Sequence, residues 1–176
     1  QRTEPVAIPR FNKAADDRFP STDWSLSTSP VQLVLLEGWC LGAQPQFADI
    51  LARPINDLER DEDPAGVWRG YSNEVLSREF QPLYALVDQW VMLCAPSFDS
   101  VFNWRQEQER KLAASIAPDQ LSRLMDDNAL QNFVQHFERL TRSCLDELPG
   151  RVHHLLRLGE NRQVTAYTHR PNTNKP

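Results

Sequence analysis

The chain has 176 residues, 40% apolar and 24% charged, with a formal net charge of −5, which suits one globular domain with a sizeable core. The charge argues against a nucleic-acid binder driven by phosphate neutralisation, and no window approaches the ~18 consecutive apolar residues of a membrane helix. The three cysteines, Cys40, Cys94 and Cys144, lack C-x-x-C spacing and point to reduced thiols in a cytoplasmic protein.

The first residues, Gln1-Arg2-Thr3-Glu4, contain neither a Met nor the apolar core of a signal peptide. The numbered chain is therefore expected to begin inside a longer gene product or after a processed segment. Val6-Ala7-Ile8 reads as an edge strand stopped by Pro9. Arg10, Lys13 and Arg18 follow closely with Asp16 and Asp17 between them, the pattern of a solvated turn. The run Val31–Leu36 is too short for a globular helix and has turn signals at both ends, Pro30 and Gly38. It predicts a strand buried on both faces, as in parallel sheets. Glu37 ends that strand where ligands of such sheets bind; the plain alternative is a surface Glu.

Residues 46–52 suit about two helical turns, ended by Pro54. Residues 55–70 are dense in charge and read as a surface loop, although Trp68 and the following Tyr71 suggest packing or a binding surface. Apolar residues then recur at helical spacing over 71–88, with a kink expected at Pro82. Residues 89–95 form a second buried-strand candidate, so a helix between two apolar strands predicts a βαβ unit. Ser97 is placed to cap a long helix reaching about residue 117. Its stretch from Arg105 to Lys111 is polar on nearly all sides, so it projects into solvent or faces a ligand. Asp126 or Asp127 caps the next helix, whose buried face is expected to be Leu130, Phe133, Val134, Phe137, Leu140, Thr141, Cys144 and Leu145, and which stops at Pro149-Gly150. Strands over 152–158 and 163–167 flank a Gly159-Glu160-Asn161 turn, and residues 168–176 read as a mobile tail.

His136 stands alone and His153-His154 point to opposite strand faces, so zinc spacing is missing. There is no G-x-S-x-G nucleophile motif. Phosphate chemistry fits better. Glu37 can organise Mg²⁺ or position a hydroxyl, and Arg105, Arg110 and Lys111 share a polar helix able to meet phosphates; ordinary helix solubility explains those cations equally well.

Five ordered blocks carry a resemblance: PRFNKAADDR, LVLLEGWCLG, INDLERDEDPAGVWRGYSNEVL, LCAPSFDSVFNWRQEQERKL and MDDNALQNFVQHFERLTR. Together they resemble the D-glycerate 3-kinase family of P-loop kinases, relatives of phosphoribulokinase and uridine kinase, from about Pro5 to Thr165. The resemblance implies an α/β fold with a parallel sheet flanked by helices, and phosphorylation of a small hydroxy acid by ATP with Mg²⁺. It places Glu37 at the end of a Walker-B-like strand as the Mg²⁺-side acid, acting directly or through water. Lys13, Asp17 and Arg18 fall in a loop facing the acceptor. Arg10, Trp39, Asn56, Glu59, Asp63, Trp68 and Asn73 fall on the substrate side, and Arg105, Arg110 and Lys111 on the lid that reaches the ATP phosphates.

The chain departs from the family in one large respect. G-x-x-x-x-G-K-[ST] cradles phosphates with backbone amides, and none of the six glycines lies in such a motif. Residues 1–167 are therefore expected to be the C-terminal portion of one kinase domain, with lid-like helices over about 97–124. The P-loop strand and helix would come from an upstream segment or a separate chain. A non-catalytic metabolite-binding or interaction module derived from a truncated kinase is the alternative, as is a kinase for a nucleoside or pantothenate.

Overall fold

The structure, a computed structural model, describes residues 4–12, 15, 17–27, 31–115 and 125–171. Lys13, the expected lid beyond residue 115 up to 124, and residues 172–176 of the expected tail lie outside the described residues. The chain divides into two units, Gln1–Gly38 and Trp39–Pro176.

The first unit holds two antiparallel pairings. Strand β1 (Val6–Ile8) pairs with β4 (Ser25–Ser27), and between them β2 (Phe11–Asn12) pairs with β3 (Asp17–Arg18). At the edges of the stretch expected to be a solvated turn, Phe11 therefore pairs with Arg18 and Asn12 with Asp17. Trp24 fastens this unit by donating its indole N–H to the carbonyl of Phe19 at 2.8 Å.

Val31–Leu36 overturns its expectation. The run forms no strand, and its apolar side chains face solvent, Leu35 with 87% of its surface exposed. An apolar run becomes a buried strand only where a neighbour completes its hydrogen-bond ladder and another layer covers its faces. Among the described residues neither is supplied, and the βαβ unit expected on this strand does not form.

In the second unit the charged stretch after residue 55 is also corrected, from loop to helix. After α1 (Ala48–Leu51) come α2 (Asp57–Asp61) and α3 (Val67–Val75). Local acceptors explain both. Asn56 caps α2 by accepting from the Glu59 N–H at 3.0 Å, and the Asp63 carboxylate accepts the Trp68 and Arg69 N–H groups at 3.1 Å each, at the start of α3. Gly66 takes the left-handed φ of 71° that this entry requires. The helix widens over Leu76–Phe80 before α4 (Gln81–Tyr84). Pro82, which lacks an N–H, follows this wide turn, and the Gln81 side chain donates to the Leu76 carbonyl within it at 3.2 Å.

The parallel pair that does form joins β5 (Val91–Cys94) to β6 (His154–Leu158), in a register from Val91 opposite His154 to Cys94 opposite Arg157. Strand β7 (Val164–His169) adds antiparallel to β6 and includes Thr168 and His169, which had been assigned to the tail. Two long helices, α5 (Phe98–Ser115) and α6 (Asp127–Glu147), connect β5 to β6. Their expected caps are present: Ser97 Oγ accepts from the Ser100 N–H at 3.2 Å and Asp126 from the Ala129 N–H at 2.7 Å. One apolar cluster, including Leu76, Cys94, Cys144, Leu148 and Leu155, lies where the kinked helix, the sheet and α6 meet; Phe98, Leu130 and Val134 form a second between α5 and α6. Among the described residues no helix is long and apolar enough to cross a membrane.

Candidate functional site

Two clefts among the described residues of the second unit take in several of the expected site residues. A cleft of about 440 Å³ lies between α2, α3 and α6, with Glu59, Asp63, Trp68 and Asn73 in its wall. These are residues expected on the substrate side. Asn56 stands beside it, donating to the Gln135 carbonyl at 3.0 Å and to Glu138 at 3.1 Å.

Two buried arginines organise this cleft. Arg139 grips Glu59 through two parallel bonds, Nε to Oε1 at 2.7 Å and Nη2 to Oε2 at 2.6 Å. It also reaches the carbonyl of Arg53 at 2.6 Å and the side-chain oxygen of Gln46 at 3.1 Å. Arg69 meets the Asp63 carboxylate at 3.1 Å and the carbonyl of Leu51 at 2.6 Å. Burial pushes the Glu59 carboxyl up, but bonds from Arg139 and the Ile55 N–H outweigh it and hold the group below the usual range. Asp63 is likewise raised by burial, yet ends low because the Arg69 and Trp68 N–H groups and the Arg69 charge stabilise its anion. Asn73 exchanges two hydrogen bonds with the Gln46 backbone, at 2.6 and 3.1 Å, and so pins α3 to the segment before α1. Glu59, Asp63 and Asn73 therefore shape the cleft while bonded to the protein. Trp68 offers an exposed indole at its rim.

The second cleft, about 450 Å³, is lined by Trp39, Trp104, Arg105, Lys111 and Arg162 with Glu107 among them. Trp39 stacks flat on Phe137, ring centres 4.5 Å apart. The expected lid residues Arg105 and Lys111 are brought together here, whereas Arg110 is exposed and lies outside the lining. Trp39, expected with the substrate-side residues, falls in this cleft instead. Arg105 pairs with Glu109 one turn along α5. Glu107 is shared, by Lys111 at 2.5 Å and Arg162 at 2.6 Å, and those two hydrogen bonds, Lys111's first, lower its pKa. Arg162 also lies over the Trp104 ring at 5.4 Å, while the Trp104 indole N–H donates to the Glu160 carbonyl at 2.6 Å.

Arg162 and Arg139 were not singled out from the sequence. Arg162 had a faint signal, since it follows the Gly159-Glu160-Asn161 turn; in the structure it takes a left-handed φ of 62°. Arg139 had none; it sits within an amphipathic helix beside apolar Leu140.

In the first unit Arg10 lies over the Phe19 ring at 5.1 Å. Asp17 and Arg18 are exposed on β3, the Asp17 carboxylate accepting from the Arg18 N–H at 2.6 Å. Glu37 is exposed at the end of the apolar run. Among the described residues no three or more His, Cys, Asp or Glu side chains gather as a metal site.

The second cleft thus gathers Arg105, Lys111 and Arg162 around two indole rings. No protein family model matches the chain. It is 28% identical over 137 residues to "D-glycerate 3-kinase, chloroplastic" of Arabidopsis thaliana, covering 75% of this chain and 26% of that protein. It is 28% identical over 156 residues to "Uncharacterized kinase mug58" of Schizosaccharomyces pombe, covering 85% and 53%. The D-glycerate 3-kinase of Cryptococcus neoformans var. grubii superposes with a TM-score of 0.69 at 17% identity, over 94% of this chain and 59% of that one. The chain resembles D-glycerate 3-kinases in sequence and in fold. The YGR205w protein shares the fold too, with a TM-score of 0.66, 20% identity and coverage of 96% and 59%. The chain spans about a quarter and about half of the two curated relatives' lengths. The expected α/β architecture with a parallel pair and flanking helices is thus present.

Proposed function

We propose that this chain is the acceptor-and-lid portion of an ATP-dependent kinase acting on a small hydroxy acid, D-glycerate being the first choice because relatives carry that name. The observation that carries the proposal is the cleft joining Arg105, Lys111 and Arg162 to two indole faces. Phosphoryl transfer asks little covalent work of a protein; it needs cations on the phosphates and a reacting centre shielded from water. Arg105 and Lys111, with Arg162 added, serve the phosphates on this reading, and Trp104 and Trp39 give flat apolar faces against which a base can stack. The other cleft receives the acceptor, with Trp68 at its rim and a wall fixed by Arg69 and Arg139. Lys13, Asp17 and Arg18 remain assigned to the acceptor side and Glu37 to the metal side.

Bound Mg²⁺ would neutralise charge on the transferring phosphate oxygens. A single carboxylate such as Glu37 fits that ion, because Mg²⁺ keeps waters and takes phosphate oxygens beside one or two carboxylates. The phosphate-cradling glycine motif is supplied from outside residues 1–176, by an upstream segment or a separate chain. The test is turnover of ATP with D-glycerate by the protein that contains this chain, alongside its Glu37→Ala variant. Formation of ADP and phosphoglycerate, lost in the variant, is expected. No turnover with D-glycerate overturns the substrate, and unchanged turnover in the variant removes Glu37 from the mechanism.

A further inference from the structure

The kinase reading uses none of the cysteines, yet two of them meet. Cys40 and Cys144 are 104 residues apart in sequence and sit together in the larger apolar cluster. Cys40 lies in the turn between Trp39 and Gly42, with a φ of 58° that few non-glycine residues adopt. That turn aims its side chain at α6, where the Cys40 sulfur lies 3.5 Å from Thr141 Oγ1. Cys144 is one turn further along the same helix face. Its sulfur lies 3.9 Å from the Cys40 carbonyl oxygen, so it packs directly against the Cys40 turn. Cys40 is partly exposed and Cys144 is buried; both are free thiols.

We propose that Cys40 and Cys144 are a peroxide-sensitive dithiol that closes to a disulfide and fastens the Trp39 turn to α6. The Cys40 thiolate attacks one peroxide oxygen and the O–O bond breaks, leaving a sulfenic acid and, after proton uptake, one water. The Cys144 sulfur then displaces hydroxide from the Cys40 sulfur, its own proton completing the second water. Two thiols and one hydrogen peroxide give one disulfide and two waters, the sulfurs losing two electrons together.

The two positions divide the work. Cys40 has the solvent access that peroxide needs, and the hydrogen bond from Cys144 brings its pKa down to about 7, so thiolate is present at neutral pH. Cys144 is buried beside Cys40, out of reach of peroxide but against the sulfur it would attack, which makes it the resolving partner. Trp39 is the next residue to Cys40 and stacks on Phe137 of the same helix, so the bond would tie one wall of the cationic cleft to α6. Cys94, buried with burial raising its pKa, stays reduced.

The test is treatment of the protein containing this chain with a small excess of hydrogen peroxide, followed by thiol counting and peptide mapping under non-reducing conditions. Expected are the loss of the Cys40 and Cys144 thiols, a mass decrease of about 2 Da, a crosslinked peptide pair holding both residues, and reversal by dithiothreitol. In Cys144→Ser, dimedone should trap a sulfenic acid at Cys40. Four results overturn the proposal: both thiols surviving while other thiols react, a dimedone adduct at Cys40 of the unsubstituted protein without a disulfide, a bridge to Cys94, or a bridge between two molecules. The mapping needs only the unsubstituted protein, so a variant that fails to fold leaves the question decidable.

Discussion

The two clefts of the second unit are built from the same residue types and differ in what their arginines hold. In the cleft between α2, α3 and α6, Arg139 and Arg69 are buried and bonded to carboxylates and backbone carbonyls. In the cleft along α5, Arg162 and Lys111 are solvent-accessible and share one accessible carboxylate, Glu107. A buried arginine bonded to carbonyls holds the framework, and removing it strands its partners without water. An exposed arginine loses little on leaving a surface carboxylate, so it can exchange that partner for a phosphate. The first cleft is a shaped wall and the second is a place for ions to arrive.

The largest effect expected from this contrast is on stability. Arg139→Ala leaves Glu59 buried and unpaired, which should cost about 3–5 kcal/mol, read as a lower urea midpoint. Arg139→Lys should recover little, because an ammonium cannot reproduce the paired guanidinium bonds. A fully stable Arg139→Ala protein with weakened substrate binding would reverse the assignment.

Acid should attack the same cleft. Glu59 and Asp63 have folded pKa values below their unfolded ones, which lie at about 4.3 and 3.9. Their contribution is therefore complete above about pH 5 and is lost as pH falls below about 4 toward the folded pKa values. A urea midpoint that declines over this window, and declines less in Glu59→Gln, is expected.

The cationic cleft should respond in binding and hardly in stability. Arg162→Ala should leave the urea midpoint within about 0.5 kcal/mol, while the ATP KM of the enzyme containing the chain rises about tenfold, the scale of one charged hydrogen bond. A smaller effect of opposite sign is expected from Glu107→Gln. Removing the competing carboxylate should tighten nucleotide binding by up to about fivefold, measurable by titration. Weaker binding in that variant would mean that Glu107 positions the cations more than it competes for them.

Much of the architecture was legible because it is local. Ser97 and Asp126 announced their helices through cap chemistry, Pro82 marked the disturbed turn, and Gly159-Glu160-Asn161 marked the final hairpin. The charged stretch after residue 55 misled because its carboxylates looked solvated. Several of them in fact cap helices or meet arginines: Asp63 is six residues from its partner Arg69, but Glu59 finds Arg139 80 residues away. The lid cations Arg105 and Lys111 were legible on one helix, whereas Arg162 reaches their cleft only because the β6–β7 turn comes back to α5.

The sequence by itself determined where the two long helices α5 and α6 start, which residues could carry phosphate chemistry, and the absence from these 176 residues of a phosphate-cradling glycine motif. Tertiary structure decided what each candidate does. Val31–Leu36 has the composition of a core strand, yet it is exposed because burial belongs to the neighbours a segment finds. Arg139 and Arg162 have the same side chain. One is locked among carbonyls and the other is held loosely at a surface carboxylate, and that difference comes from contacts across 80 and 55 residues, beyond the reach of any local pattern.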